Sequence, residues 1–180
     1  YVNFFKNKGY LVKSISSKSA SNSGYFYKIG NKYNPKILNN IDVIIFVSHD
    51  FNNKNAEKIY NSVKILIDDS LKQNIKFVYI SSTASNKDSR TIYGKSKYLI
   101  SKEVLKRKGL VIMPGLIYGK GSKKGLIYKI YKITKFSFIV PYISNLKKGF
   151  YITKLNYLLS STEKIILNEN SGLFLCAYKD

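Results

Sequence analysis

The stretch KFVYISSTASNKDSRTIYGKSKYLISKEVL, residues 76–105, decides the fold. Its first six residues, 76–81, form a short apolar run with the composition of a buried β-strand. Residues 93–108 then carry apolar side chains on one flank and are followed by Gly109, a pattern typical of a helix and its stop. A second apolar run begins directly afterwards, so the order strand, helix, strand predicts a βαβ unit.

The rest of the chain repeats this alternation. Apolar runs at 10–15, 42–48 and 110–115 indicate further strands, and residues 55–73 place apolar side chains at helical spacing. Strands without polar alternation suit a parallel sheet that is covered on both faces. We therefore predict an α/β fold with a parallel sheet and helices on both faces, while the last sixty residues are less regular.

Composition restricts the class of protein. The 180 residues carry a net charge of +21 and a single cysteine, Cys176, so no internal disulfide can form and a cytoplasmic location is expected. No apolar run is long enough to span a membrane. Lysine supplies most of the charge and is spread along the chain, so we expect no specific nucleic-acid partner. Residues 104–162 contain no acidic side chain and would attract a polyanion, although a solvated lysine-rich face is the alternative.

Tyr93 and Lys97 are the first candidates for chemistry. Side chains four positions apart share one face of a helix. An ammonium beside a phenol favours the tyrosinate while burial opposes it, so such a pair can move a hydroxyl proton. The pair alone is weak evidence in a chain rich in both residues. However, the hydroxyls at 81–83 follow the preceding strand, and parallel sheets bind ligands at the carboxyl ends of their strands.

Three motifs occur in a defined order: SST at 81–83, YGKSK at 93–97 and MPGLIYGKG at 113–121. Together they resemble the extended short-chain dehydrogenases/reductases, the NAD-dependent epimerase/dehydratase family that acts mostly on nucleotide sugars. The resemblance implies a Rossmann-like NAD(P)-binding domain over residues 1–118. It also implies a partial substrate-binding lobe, with a late Rossmann strand, over residues 119–180.

The resemblance assigns roles to particular residues. Tyr93 would be the acid/base, and Lys97 would lower the pKa of Tyr93 and hold the nicotinamide ribose. Thr83, with Ser82 as the alternative, would bond the reacting sugar hydroxyl. His49 would contact the cofactor, and a loop histidine without a role is the alternative for this position. The other cofactor-binding residues implied by the resemblance are Val47, Ser48, His49, Ser81, Pro114 and Gly115.

The end of the second strand reads Ser16-Ser17-Lys18 and bears on the choice of cofactor. A carboxylate at this place would bond the ribose hydroxyls of NAD. None is present, and Lys18 can pair with a 2′-phosphate, so the cofactor is NAD or NADP with NADP favoured. A solvated turn is the alternative interpretation. No metal site is expected.

The glycine-rich turn that binds the pyrophosphate in Rossmann folds does not occur, because GKGSKKG at 119–125 lacks the strand–turn–helix context. We therefore expect the first strand and its turn to lie upstream of Tyr1, which leaves the sheet incomplete at the N-terminus. Such a sheet exposes two unpaired strand edges. Residues 1–180 alone should then dissolve poorly and bind dinucleotide weakly.

The resulting interpretation is an NAD(P)-dependent epimerase, dehydratase or reductase acting on a nucleotide sugar for surface polysaccharide, with a homodimer left open. A non-catalytic or decayed Rossmann-like binding module is the alternative, because Met113 replaces the family's usual arginine and Lys154 stands near a usual aspartate. A basic module for an anionic membrane or nucleic acid is the third interpretation.

Overall fold

A computed structural model describes residues 1–17, 25–119, 126–137 and 151–179. Five α-helices, one 3₁₀ helix and nine strands lie in these ranges. In chain order they are α1 (Val2–Asn7), β1 (Ile15–Ser16), β2 (Tyr25–Phe26), the 3₁₀ helix (Pro35–Leu38), β3 (Val43–Phe46), α2 (Ala56–Lys72), β4 (Lys76–Ile80), α3 (Ile92–Lys106), β5 (Leu110–Pro114), β6 (Leu116–Tyr118), α4 (Leu126–Ser137), β7 (Tyr151–Lys154), α5 (Leu155–Asn168), β8 (Gly172–Cys176) and β9 (Tyr178–Lys179).

The main sheet has four strands in the order β3-β4-β5-β8, and every neighbouring pair is parallel. Its centre is formed by β4 and β5, where Val78 lies opposite Leu110. Two smaller sheets accompany it: β1 pairs with β2 in parallel, and β7 pairs in parallel with β6 and antiparallel with β9. The predicted α/β fold with a parallel sheet is confirmed.

Helices cover both faces of the main sheet. Phe77 and Tyr79 of β4 point to a core that also contains the buried side chains of α2 and α3. Val78 and Ile80 point to the opposite core, which contains Leu158 of α5. This alternation follows from the two-residue period of a strand, and the apolar composition of β4 follows from burial on both sides.

Local sequence explains where the two long helices begin. The Asn55 side chain accepts hydrogen bonds from the backbone N–H groups of Glu57 and Lys58 at the start of α2. The Thr91 side chain accepts from the N–H of Gly94 at the start of α3. The Thr91 cap fixes the first turn of α3, which is the turn that carries Tyr93.

Two details differ from the sequence-based expectation. Gly109 does not end α3 as a left-handed cap, because Lys108 takes that conformation with φ of 57°. Gly109 is needed for close packing instead, since a Cβ there would lie 2.7 Å from Val104 Cγ1 and 3.0 Å from the Phe77 carbonyl oxygen. The strand expected at 10–15 is reduced to β1, because residues 11–14 border a cavity instead of a neighbouring strand in the described part of the chain.

None of the helices in the described ranges is both long and apolar enough to cross a membrane. The division of the chain into domains at residue 118 stays a prediction. Residues 119–125, which carry the GKGSKKG segment, lie outside the described residues except for Gly119.

Candidate active site

Tyr93 and Lys97 lie in the first two turns of α3, beside the carboxyl end of β4. The side chain of Lys97 is 2% exposed, and its Nζ donates a hydrogen bond to the carbonyl oxygen of Ile80 at 2.7 Å. Tyr93 is half-buried. The helix thus directs a buried amine and a partly accessible phenol to the tip of the same strand.

Two tyrosine rings surround the Lys97 amine. Its Nζ lies 4.6 Å from the centre of the Tyr79 ring and 5.7 Å from the centre of the Tyr93 ring. An ammonium over an aromatic face is attracted by the negative charge of that face. The Tyr79 hydroxyl is fully buried and has no hydrogen-bond partner among the described residues. Tyr79 is therefore a candidate site residue that sequence reasoning missed.

Burial controls the protonation of the pair. Loss of hydration lowers the pKa of Lys97 to about 7, so its charge can change near neutral pH. Burial also raises the pKa of Tyr93, and a hydrogen bond with Ser82 offsets part of that rise. The pKa of Tyr93 was expected to fall because of Lys97. It rises instead, since loss of hydration is the largest influence on the phenol.

The strand tip supplies the hydroxyl groups. The Ser82 side chain forms a hydrogen bond with Tyr93. Thr83 instead donates its backbone N–H to the Pro114 carbonyl at 3.1 Å and so joins the ends of β4 and β5. The hydroxyl in contact with the phenol is thus that of Ser82, the alternative to Thr83. A sugar contact by either residue stays a prediction.

Ser81 has a structural contact. It is buried, and its Oγ lies 2.7 Å from Ser101 Oγ, which also donates to the carbonyl of Lys97. This chain of hydroxyls holds α3 against β4 and fixes the height of Lys97 beside the strand. A contact between Ser81 and a cofactor stays a prediction.

His49 lies against the same phenol. The His49 ring packs edge-on against Tyr93 with 4.8 Å between ring centres, and Phe51 stacks parallel to Tyr93 at 5.8 Å. Burial, with a smaller contribution from Lys97, lowers the pKa of His49 to about 4, so the imidazole is neutral at pH 7. Its Nδ1 is buried without a partner in the described ranges. The structure thus places His49 beside Tyr93, and a functional role for it stays a prediction.

Phe51 is the second residue that sequence reasoning missed. It is 80% exposed and covers one face of the Tyr93 ring. It lies in the loop after β3, outside any periodic element. Its only sequence signal is an aromatic residue that closely follows the carboxyl end of a strand.

The glycines of two motifs allow close approach of the backbone. A Cβ on Gly94 would lie 2.6 Å from the Ala84 carbonyl oxygen, so only glycine lets α3 begin against the loop that follows β4. A Cβ on Gly115 would lie 2.2 Å from the Tyr151 carbonyl oxygen. The N–H of Gly115 donates to Thr153 Oγ1 at 2.8 Å. These contacts explain why YG and PG occur in the motifs.

The remaining candidates lie along the strand ends. Val47 and Ser48 are exposed just beyond β3, and Pro114 is buried at the end of β5. Ser16 closes β1 and Ser17 is exposed immediately after it. Lys18 lies outside the described residues. No group of three or more histidine, cysteine or acidic residues that could hold a metal ion occurs among the residues described.

Comparison with known proteins is informative only at the level of structure. No protein-family model and no curated protein sequence matches the chain. A solved structure titled a novel NAD-dependent NDP-hexosamine 5,6-dehydratase, TunA, involved in tunicamycin biosynthesis, is similar over 86% of this chain and 62% of its own, with a TM-score of 0.67 and 12% identity. MoeE5 in complex with UDP-glucuronic acid and NAD matches over 97% of this chain and 70% of its own, with a TM-score of 0.71 and 14% identity.

A structure titled a hypothetical dTDP-4-dehydrorhamnose reductase from Sulfolobus tokodaii matches over 99% of this chain and 72% of its own, with a TM-score of 0.73 and 18% identity. The chain has the Rossmann-like fold of NAD-dependent nucleotide-sugar enzymes. The expected resemblance is thereby confirmed for the fold. Identities of this size carry no assignment of activity, and the chain spans only 62% of the length of the TunA structure.

Proposed function

We propose that the protein is an NAD(P)-dependent epimerase, dehydratase or reductase that acts on a nucleotide sugar. One observation carries the proposal: a buried amine, Lys97, lies one helical turn from Tyr93, and Tyr93 bonds Ser82 at the carboxyl end of β4. Ligands of parallel α/β sheets bind at this end of the strands. The NAD-dependent dehydratase TunA and MoeE5, which was solved with UDP-glucuronic acid and NAD, support the same class of chemistry.

Tyr93 would move the proton of the reacting sugar hydroxyl. Its phenol is partly accessible and already exchanges a hydrogen bond with a hydroxyl, that of Ser82. A sugar hydroxyl that bonds both groups would place its proton within reach of the phenol oxygen. A nicotinamide, when bound, would supply the acceptor or donor of the hydride.

Lys97 would control when the phenol can release its proton. Its pKa of about 7 leaves it partly charged at neutral pH. A charged amine beside the phenol stabilises the tyrosinate, and a neutral amine does not. The residues present fit a nicotinamide cofactor here, because His49 Nδ1 and the Tyr79 hydroxyl are buried polar atoms without partners in the described ranges. Ribose binding by Lys97 belongs to this proposal.

The choice between NAD and NADP belongs to the proposal as well. Ser16 ends β1 and Ser17 follows it, and neither is a carboxylate, so nothing at these two positions would repel a 2′-phosphate. This favours NADP, whereas TunA is NAD-dependent and MoeE5 was solved with NAD. The ratio of the Kd values for NADPH and NADH tests the preference, and a tighter Kd for NADH would contradict it.

A cytoplasmic role in making surface polysaccharide completes the proposal. The single cysteine, Cys176, is free and buried, which suits a reducing compartment. A homodimer remains open, and sedimentation of the full-length protein would decide it.

A binding module without catalysis is the second candidate. Met113 stands where the resembled family has an arginine, and it packs against the core of α2 and α3 instead of presenting a charge. A module of this kind would bind NADPH or NADH and turn over no sugar nucleotide.

Turnover by the full-length protein, expressed from its whole reading frame, tests these alternatives. The protein is mixed with NAD⁺ or NADP⁺ and with a panel of UDP- and dTDP-linked hexoses, and nicotinamide absorbance and sugar products are followed. We expect turnover of at least one sugar. Tyr93→Phe should lower kcat/KM by about 10²- to 10⁴-fold, because it removes the acid/base hydroxyl, and should leave the Kd for the dinucleotide nearly unchanged.

Tyr98→Phe is the matched control, because it removes a hydroxyl from the same helix outside the Tyr93–Lys97 pair. It should keep the kcat/KM of the unaltered protein. Equal turnover by Tyr93→Phe would contradict the proposed acid/base role. Dinucleotide binding without turnover of any sugar would favour the binding module.

A further inference from the structure

The helix α4 has an exposed face that is both basic and apolar. Its three lysines, Lys129, Lys132 and Lys135, are all exposed to solvent. Phe136 is 76% exposed and Ile133 is 50% exposed. Both share one side of the helix with Lys129, because residues three and four positions apart are neighbours on a helix surface. Large apolar side chains therefore stand in water between positive charges.

The opposite side of α4 attaches the helix to the rest of the protein. Ile127, Ile130 and Thr134 follow one another at helical spacing, and each is partly buried. The helix packs against β6. This side already supplies the apolar contacts of the helix, so Ile133 and Phe136 are apolar side chains that the packing of the described residues leaves largely uncovered.

The charge of the exposed face is not neutralised nearby. Residues 104–162 contain no acidic side chain. None of the α4 lysines forms an ion pair with a described residue. The amine of Lys132 lies 5.7 Å from the centre of the Tyr128 ring instead. Three positive charges without a counter-charge on one helix attract an anionic surface.

We propose that α4 binds the surface of an anionic lipid bilayer and lies in the plane of that surface. Ile133 and Phe136 enter the boundary between headgroups and acyl chains, and the three lysines contact lipid phosphates. Helices that combine lysines with bulky apolar side chains bind at this boundary. The 12 residues of α4 would make a contact about 18 Å long. This attachment is a property additional to the proposed nicotinamide chemistry and does not depend on it.

The combination of charge and apolar surface distinguishes a bilayer from other partners. A nucleic acid or a free phosphate would engage the lysines and leave Ile133 and Phe136 in water. An apolar protein surface would cover these two side chains and bury lysine charges without partners, which is costly. An anionic bilayer has a phosphate layer directly above an apolar layer, so both parts of the face find partners.

Binding of the full-length protein, expressed from its whole reading frame, to lipid vesicles tests the proposal. One set of vesicles contains equal parts of phosphatidylglycerol and phosphatidylcholine, and the other contains phosphatidylcholine alone. In about 0.1 M salt we expect binding at least about tenfold tighter to the anionic vesicles, because each lysine near the negative surface contributes. Higher salt should weaken this binding, since it screens the attraction. Co-sedimentation with the vesicles measures it.

A first pair of variants tests the apolar part of the face. Ile133→Ser with Phe136→Ser keeps the charge and removes the side chains that enter the bilayer, so it should weaken binding to the anionic vesicles at least about tenfold. Ile65→Ser with Leu167→Ser is the matched control, because it removes two exposed apolar side chains from α2 and α5. It should bind like the unaltered protein.

A second pair tests the lysines. Lys129→Gln, Lys132→Gln and Lys135→Gln together remove the charge of the face and should weaken binding to the anionic vesicles at least about tenfold. The control makes the same change at three exposed lysines of α3 and should cause a clearly smaller loss; its positions are Lys95, Lys102 and Lys106.

Phe136→Trp measures insertion directly and keeps the test decisive if another variant does not fold. The 180 residues contain no tryptophan, so the emission added by Phe136→Trp, relative to the unaltered protein, reports this position. It should shift to shorter wavelength on anionic vesicles, and lipids with brominated acyl chains should quench it. Ile65→Trp, on α2, is the control and should show neither change.

Three results would overturn the proposal. One is equal binding to the two kinds of vesicle. The second is unchanged vesicle binding by the double serine variant of α4, which would assign the attraction to the lysines alone, as for a nucleic-acid partner. The third is a Phe136→Trp emission that brominated lipids leave unquenched, because the side chain would then lie in water or against another part of the full-length protein.

Discussion

The two edges of β3 lie in contrasting parts of the molecule. Toward β4 the strand pairs in register, and the neighbouring side chains of Phe77 and Val78 are almost completely buried. Toward the segment 11–15 the strand borders a cavity, and Leu11 is 93% exposed. The Tyr93–Lys97 pair belongs to the packed part. The proton chemistry of the proposed site is therefore assembled by tight packing, whereas the residues proposed to select the cofactor lie beyond the open edge.

The same substitution in the two parts gives the largest expected contrast. Leu110→Ala in β5 removes a fully buried side chain and should lower the free energy of unfolding by about 2–5 kcal/mol. Leu11→Ala, at the cavity, should change it by less than about 0.5 kcal/mol. Urea unfolding followed by circular dichroism measures both. Similar losses would show that the packing of the two parts does not differ in this way.

Lys97→Met sharpens the comparison by removing the buried amine from the packed part. The ordinary lysine pKa of 10.5 applies to the unfolded chain, and the folded value is about 7. Between these values the unfolded state binds more protons than the folded state, so the free energy of unfolding rises with pH. Below pH 7 the amine is charged in both states, and the full cost of burying its charge is present. Lys97→Met should remove this rise and stabilise the protein at pH 7 by on the order of 3 kcal/mol.

Lys95→Met is the matched control, because Lys95 lies on the same helix and is exposed. It should keep the slope of stability against pH. The measurement is urea unfolding from pH 6.5 to about 9.5. Above about pH 10 the buried tyrosines, whose pKa values are raised, ionise first in the unfolded chain and would lower the free energy of unfolding. A Lys97→Met protein with an unchanged slope would contradict the lowered pKa.

Substitution of Tyr79 should give the smallest effect. Tyr79→Leu removes the ring face beneath the Lys97 amine, an attraction of about 0.5–2 kcal/mol, so the pKa of Lys97 should fall by a further ~0.4–1.5 units. Tyr79→Phe keeps the ring and removes only the hydroxyl that has no partner in the described ranges, so the pKa of Lys97 should hardly change. Equal shifts in the two variants, measured by lysine NMR, would assign the effect to packing instead of the ring.

Much of the packed part follows from the sequence, because its signals are local and regular. The apolar runs gave β3, β4 and β5 within a few residues, and helical spacing gave α2 and α3. The four-residue spacing placed Tyr93 and Lys97 on one face of α3, and the strand–helix order placed that helix beside the tip of β4. The fold-level prediction is accordingly confirmed.

The rest depends on contacts between distant residues. In the sequence Tyr79 looks like any core tyrosine. Only the packing of α3 against β4, which brings the Lys97 amine over the Tyr79 ring, makes Tyr79 part of the site. Phe51 lies in a loop, where no periodicity indicates its partner. The direction of the Tyr93 pKa shift depended on how deeply the phenol is buried, which spacing does not reveal.

The NMR titration of the Lys97 amine tests the central claim most directly. The side-chain amines are labelled in the unaltered chain and in Lys97→Met, which assigns the resonance by its disappearance. The structure predicts that the Lys97 amine titrates near pH 7, because it is buried beside Tyr93 and Tyr79. If the resonance lost in Lys97→Met titrates above pH 10, the amine is exposed to water and the acid/base pair is not assembled as described.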